Sequence, residues 1–297
     1  MKRREFLRRG LLAGGALAAG MHYRPYTLQA APVRKFANDV VYLGPDKIKL
    51  SRLAMGTGTS GFRGASNQTR QLGVKGITDL FLYGYDNGLF FWDSADGYGS
   101  HPHLKAALEH IAREKVTIMS KSTSKNAAGM RKDIERFRKE IGTDYIDILL
   151  LHAVRESDWP EQRKSAMEVI DEYKEKGIIR TRGISCHSLE ALKQVPKTSW
   201  VDVDLARVNP VGALMDADPA TVIELLRDIK RAGKGVIGMK ILGEGRLRHR
   251  VDEALSHALA LDCVDCFTIG AESVIELSDL VRRIPDASQR GWPAYAA

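Results

Sequence analysis

From Arg52 onward the chain alternates short apolar runs with helical stripes, and this alternation constrains the fold more than any other feature. Eight runs read as strands buried on both faces, rich in Val, Ile and Leu: Arg52–Met55, Leu89–Trp92, Val116–Met119, Tyr145–Leu151, Ile179–Ile184, Val203–Val208, Gly235–Met239 and Cys266–Ile269. Between them the apolar spacing becomes helical. Met130, Ile134, Phe137 and Ile141 are spaced by four, three and four, and Gly142 follows as a stop. Asp158, with Pro160 and Glu161, opens a second helix over Ala166, Val169, Ile170 and Tyr173, which Gly177 ends. Asp218-Pro219 opens a third over Val222, Leu226 and Ile229, closed by Gly233. Ser273 and Glu276 have capping-box spacing for a last helix. Eight strand–helix units predict an α/β fold, a closed (β/α)8 TIM barrel, over an open doubly wound sheet. Val40–Leu43 and Lys47–Leu50, around "GPDK", predict a β-hairpin ahead of it.

The formal charge of +8 invites a nucleic-acid reading, but its distribution argues against one. Lys2, Arg3, Arg4, Arg8, Arg9 and Arg24 face only Glu5 in the first 30 residues; without them 45 basic and 37 acidic residues fall to 39 and 36. The remaining charges are interspersed, and no basic block carries aromatics, so no nucleic acid is expected. The opening "MKRREFLRRGLLAGGALAAG" couples a basic region to a short stretch of small apolar residues, as an export leader does. "KRREFLR" resembles the twin-arginine signal, with Lys2 where Ser or Thr is usual. The expectation is therefore a signal segment at residues 1–30, a partner in the twin-arginine translocase, a periplasmic location and a single domain over 31–297. The alternative is a cytoplasmic enzyme with a basic leader. Cleavage after Ala18 or near Ala30 stays open. Cys186, Cys263 and Cys266 make no disulfide framework, and whether Cys263 and Cys266 pair stays open as well.

In a barrel of this kind the active site forms where strands end. The second strand ends at Asp93, the third at Lys121 in "VTIMSKS" and the fourth at His152 in "DILLLH". Tyr98 lies in the loop leaving the second. A core does not admit such groups without partners. One ionisable strand end is commonplace; three in succession with a nearby phenol define a candidate site.

This constellation resembles the aldo-keto reductase family. The matching residues are Asp93 and Tyr98 in "WDSADGYG", Lys121 in "SKS" and His152 in "LLLH"; the likeness runs from about Leu53 to Arg283 through "GISCHS", "GMKILGEG" and "FTIGAESVIEL". The resemblance implies hydride transfer between a nicotinamide cofactor and a small carbonyl or alcohol substrate. Tyr98 would be the general acid. Lys121 would lower a phenol pKa of about 10, Asp93 would hold Lys121, and His152 would orient the carbonyl. It further implies a carboxamide contact at Ser185, with Cys186 where the family usually has Asn. Gly56 and Thr57 match the first-strand turn, Lys240, Leu242 and Gly243 the pyrophosphate side, and Gly270, Ala271 and Ser273 the adenosine-phosphate positions. The cofactor it implies is NAD(H) or NADP(H). Glu276 stands where the family's arginine meets a 2′-phosphate, which favours NAD(H).

Two other readings compete. A cofactor-binding sensor of low turnover would keep the same residues. A metal-dependent barrel hydrolase would use His101, His103, Lys121, His152 and His187; it is weakened because "HPH" opens a helix, where solvated histidines are expected, and no metal is expected. Trp159, Arg155, Phe62 and Arg63 lie in loops that could shape a substrate mouth.

Overall fold

The computed structural model describes residues 33–290. Strands β1 (Val40–Leu43) and β2 (Ile48–Ser51) form an antiparallel hairpin. The eight strands that follow are parallel: β3 (Leu53–Gly56), β4 (Phe91–Asp93), β5 (Thr117–Ser122), β6 (Ile146–Val154), β7 (Ile179–Cys186), β8 (Val203–Arg207), β9 (Gly235–Met239) and β10 (Cys266–Ile269). They close in chain order, β10 pairing with both β9 and β3. Both the barrel and the hairpin ahead of it are as expected.

Alternation along each strand divides the core in two. Ala54, Phe91, Met119, Ile148, Leu150, Val203, Leu205, Ile237, Met239 and Cys266 fill the barrel interior, and Leu43 and Leu50 of the hairpin join them. The residues between them, such as Trp92, Ile118, Leu149, Ile184 and Val236, point outward into the helix layer. There Met130, Ile134, Phe137 and Ile141 are fully buried along Ala127–Ile141, a helix started by the Asn126 side chain accepting from Gly129 N at 2.9 Å and stopped by Gly142 in the left-handed region. Truncating Ile134 or Phe137 to Ala would cost about 2–5 kcal/mol. The Asp218 cap on Pro219–Arg231 forms as expected; Asp158 precedes Trp159–Gln162, but its side chain accepts no backbone N–H.

Cys266 points into the barrel and Cys263 into the outer layer, so the two thiols lie on opposite sides of the sheet and are free. Among the described residues no helix is long and apolar enough to cross a membrane. The leader, its arginine pair and both cleavage positions lie outside the described residues.

Candidate active site

Asp93, Lys121 and His152 sit on strands that run further than the apolar runs implied: β4 includes Asp93, β5 extends past Lys121 to Ser122, and β6 past His152 to Val154. Each shares the inward face with Phe91, Met119 or Leu150 two residues earlier. In β6 the ladder slips between Leu151 and Val154, and Ala153 has a positive φ of 52°.

Lys121 is fully buried. Its ammonium donates to Asp93 Oδ1 and, at 2.7 Å, to the Ser94 carbonyl. Asp93 Oδ2 accepts from the Thr268 hydroxyl at 2.8 Å. Burial works against the lysine's charge, but Asp93 and then Tyr98 outweigh it and hold its pKa above the ordinary value. The cation is therefore permanent. Thr57 fixes the connecting loop: its hydroxyl donates to Asp93 O at 2.9 Å and meets Ser100 Oγ at 2.7 Å, which meets Ser94 Oγ at 2.6 Å.

Tyr98 ends the helical turn Asp96–Tyr98, with Lys121 Nζ 4.8 Å from its ring centroid. The glycine-rich first loop clasps the ring. A Cβ on Gly58 or on Gly61 would come within 2.3 Å of Tyr98 ring carbons, on opposite ring edges. Burial pushes the phenol above its ordinary pKa; Lys121 pulls down and Asp93 pushes up, and burial wins. This corrects the expected net lowering, which counted the cation but not the loss of water. The proton stays on Tyr98 at neutral pH.

His152 meets Tyr98 edge-on at 5.6 Å between ring centroids, and His187 stands 6.1 Å beyond it. Burial, then Lys121, His187, Lys240 and Arg163, depress His152 well below 6.5. Burial and Arg207 bring His187 to about 3. Both rings are neutral. Nδ1 of each is buried and has no hydrogen-bond partner, as is Ser185 Oγ.

A cavity of about 510 Å³ opens beside Tyr98 and Asp93 and runs past Gly56, Met239, Lys240, Leu242, Gly270 and Ala271 to Glu276 and Asp279 in the first turns of the last helix. Lys121 and His152 lie behind Tyr98, off its lining. Of the cofactor positions anticipated, Gly56, Lys240, Leu242, Gly270 and Ala271 line it. Gly243 adjoins it with a positive φ of 57°. Lys240 is ion-paired with Glu244, and both have positive φ. Thr57 is spent on the loop, as above. Ser273 caps Val274–Ala287, its hydroxyl accepting from Glu276 N at 3.1 Å, while Glu276 bonds Glu272 N and not the cap residue. Cys186 is fully buried in the outer layer, where it meets no cavity; strand alternation turns it away from Ser185.

The histidines of "HPH" are not solvated. His101 is 2 % exposed, its Nε2 2.8 Å from Ser120 Oγ and its Nδ1 2.9 Å from Glu140 Oε2. Both nitrogens are committed on the outer face of β5, so the ring cannot join the cluster at the barrel mouth. His103 is buried in the same helix, His101–Leu108. Position at a helix start had concealed this. Among residues that escaped notice, Thr268 is a lone hydroxyl in the apolar "FTIG", Arg207 a lone cation ending β8, and Gly58 and Gly61 belong to "GTGTSGFRG". Each was visible as an anomaly, but only the closed barrel shows what it faces.

The molecule is thus a parallel eight-stranded barrel with a lysine–carboxylate pair behind a phenol at its C-terminal mouth. The Aldo/keto reductase family model matches residues 53–264, and the chain belongs to that family. No curated protein matches. Among solved structures, a putative aldo-keto reductase from Pseudomona aeruginosa is 21% identical with a TM-score of 0.71, over 86% of this chain and 97% of that one. The holo form of an aldo-keto reductase from Bacillus halodurans is 18% identical with a TM-score of 0.65, over 86% and 99%. One from Klebsiella pneumoniae, in complex with NADPH, is 17% identical with a TM-score of 0.65, over 88% and 92%. At these identities the likeness is one of fold.

Proposed function

We propose that the chain is a nicotinamide-dependent oxidoreductase that interconverts a small carbonyl compound and its alcohol, with Tyr98 as general acid and base. The observation that carries this reading is the convergence of Tyr98, the buried Lys121–Asp93 pair and neutral His152 at one end of the cavity.

The residues fit a dinucleotide. Its volume falls within the range of small-molecule sites. Gly56 and Gly270 leave no room for a Cβ, so backbone forms the wall there, and the buried Ser185 hydroxyl lacks a partner that a carboxamide would supply. Gly56, Lys240, Leu242, Gly243, Gly270 and Ala271 would hold the group; Lys240 must exchange Glu244 for a phosphate. The bound cofactor supplies hydride. Tyr98 delivers the proton to the carbonyl oxygen, and the two together make the alcohol. The permanent charge of Lys121 stabilises the phenolate left behind, and Asp93 and Thr268 keep that charge in place. His152, neutral, offers the oxygen a hydrogen bond without competing for the proton.

Glu272, Glu276 and Asp279 line the far end of the cavity, with Arg248 opposite them in charge. Three carboxylates disfavour a 2′-phosphate, which supports NAD(H), although the Klebsiella relative carries NADPH. The basic leader supports export through the twin-arginine translocase, which carries folded proteins, so cofactor would be loaded before crossing. Replacing Arg3 and Arg4 by Lys should retain the protein in the cytoplasm.

Purified full-length protein is to be mixed with NADH or NADPH and a panel of aldehydes, ketones and sugars, following loss of reduced-nicotinamide absorbance. Turnover with NADH favoured over NADPH is expected. Failure of both nucleotides to bind would sink the reading.

A further inference from the structure

We propose that the substrate carries an anionic group, a carboxylate or a phosphate, a few bonds from its reacting carbonyl, and that Arg207, with His187 and Arg155 beside it, receives that group. The inference names the substrate class of the site above and rests on that reading.

The three residues form one row across three neighbouring strand ends. β7 pairs with β8 as Gly183 with Val203 and Ile184 with Asp204; the same offset sets His187 beside Arg207. β6 pairs with β7 as Val154 with Cys186, and His187 N donates to Val154 O at 2.7 Å; the next step sets Arg155 beside His187. Adjacent strands stand about 4.8 Å apart, so the row spans about 10 Å. Alternation gives it a side. Leu205 fills the barrel interior, so Arg207 shares that face; Cys186 and Val154 face outward, so His187 and Arg155 face the mouth.

The row lacks what its chemistry calls for. Arg207 Nη1 donates to Leu214 O at 3.1 Å and Asp216 Oδ1 at 3.3 Å, but Nε is buried without a partner. His187 Nδ1 and His152 Nδ1 are buried without partners too. The Arg155 guanidinium makes no hydrogen bond or ion pair among the described residues. Arg207 Nε is a fixed donor, and a buried donor without a partner calls for a ligand. Charges facing the row are Asp216 on Arg207 and the pair Lys240–Glu244, which leaves positive charge in excess. Arg207, Lys240 and Arg155 all push His187 down, a sign that the field is positive there.

Position completes the argument. The cofactor cavity is walled mainly by β3, β4, β9 and β10 and reaches β8 at Leu205, two residues before Arg207, whereas His187 and Arg155 lie beyond it on the β7 and β6 side of the mouth. A carbonyl between Tyr98 and His152 therefore points its substituent at His187, 6.1 Å past His152, and then at Arg207. Guanidinium at that place suits a carboxylate or phosphate oxygen pair.

The test compares matched carbonyls with the full-length protein: pyruvate against pyruvamide, succinic semialdehyde against butyraldehyde, and glyceraldehyde phosphate against glyceraldehyde. The charged member of at least one pair should have a kcat/KM about tenfold higher or more, and added salt should shrink that advantage; the winning pair separates carboxylate from phosphate. Arg207→Gln should erase the preference mainly through KM. Because Arg207 also holds the 208–217 loop, exposed Arg155→Gln serves as a second variant, which should lower the charged-to-neutral ratio severalfold. Equal kcat/KM within every pair, or a ratio unmoved by Arg155→Gln, overturns the inference and leaves the reductase reading standing. A protein that binds nucleotide yet reduces no member of any pair overturns both.

Discussion

Lys121 lies on β5 and Tyr98 in the helical turn after β4, yet the ammonium lies 4.8 Å from the phenol's centroid, and the lysine has no exposed surface at all. An ion so buried is costly unless it is neutralised by a partner and its remaining protons are satisfied. Asp93, Ser94 O and Tyr98 do this, and the arrangement that stabilises the lysine is the one that aims it at the phenol.

Tyr98→Phe removes only the hydroxyl. The variant should keep its affinity for nicotinamide nucleotide within about threefold and lose at least about 100-fold in kcat. Fluorescence titration and steady-state kinetics measure the two separately. Because the folded phenol titrates above 10, wild-type reduction should show no loss of the acid between pH 7 and 9.

Asp93→Asn leaves Lys121 buried without its counter-charge. Stability should fall by about 3–5 kcal/mol, read from urea unfolding, and the lysine should deprotonate far more easily. An unfolding curve matching wild type would contradict the pairing.

Gly58→Ala and Gly61→Ala push a methyl group against the Tyr98 ring, which neither backbone can avoid without moving the loop. Each should lower kcat by about tenfold or more, and Gly61→Ala, which lies off the cavity lining, should leave nucleotide affinity nearly unchanged. Glycine is required here for close approach: neither residue has a positive φ.

Stability should pass through a maximum near pH 6.5. His152 and His187 are depressed in the fold, so their contribution is present above the unfolded value of 6.5 and is lost as pH falls below it, by about 1.4 kcal/mol per histidine per pH unit, until the folded value is reached, about 3 for His187. Asp204 has the opposite sign. It is fully buried between sheet and helices, neither oxygen has a hydrogen-bond partner, and burial followed by Asp216 raises it to about 8. Its contribution is therefore complete below 3.8 and lost as pH rises to 8. In the acid range the depressed histidines, His257 among them, outweigh it; above 6.5 the histidines no longer contribute a slope and Asp204 carries the decline. Asp204→Asn should abolish the alkaline decline in thermal unfolding between pH 6.5 and 8 while retaining the acid limb.

Strand and helix identities were legible because they rest on local periodicity: the stripe Met130, Ile134, Phe137, Ile141 and the run Ile148 to Leu151 need no neighbour to be recognised. Asp93, Lys121 and His152 were legible for a related reason, since ionisable residues that close apolar strands are conspicuous. His101 was misjudged because a residue at a helix start is solvated or buried according to what lies beside it, and here Ser120 and Glu140 come from elsewhere in the chain.

The order of residues along the chain, then, determined the barrel and which ionisable residues close its strands, because hydrophobic period and strand count are properties of segments. Only tertiary structure decided the Tyr98 pKa direction, the outward turn of Cys186, the glycine clasp and the row Arg155, His187, Arg207. Desolvation, strand facing and close approach depend on which segments become neighbours, and the closure of the barrel chooses those neighbours.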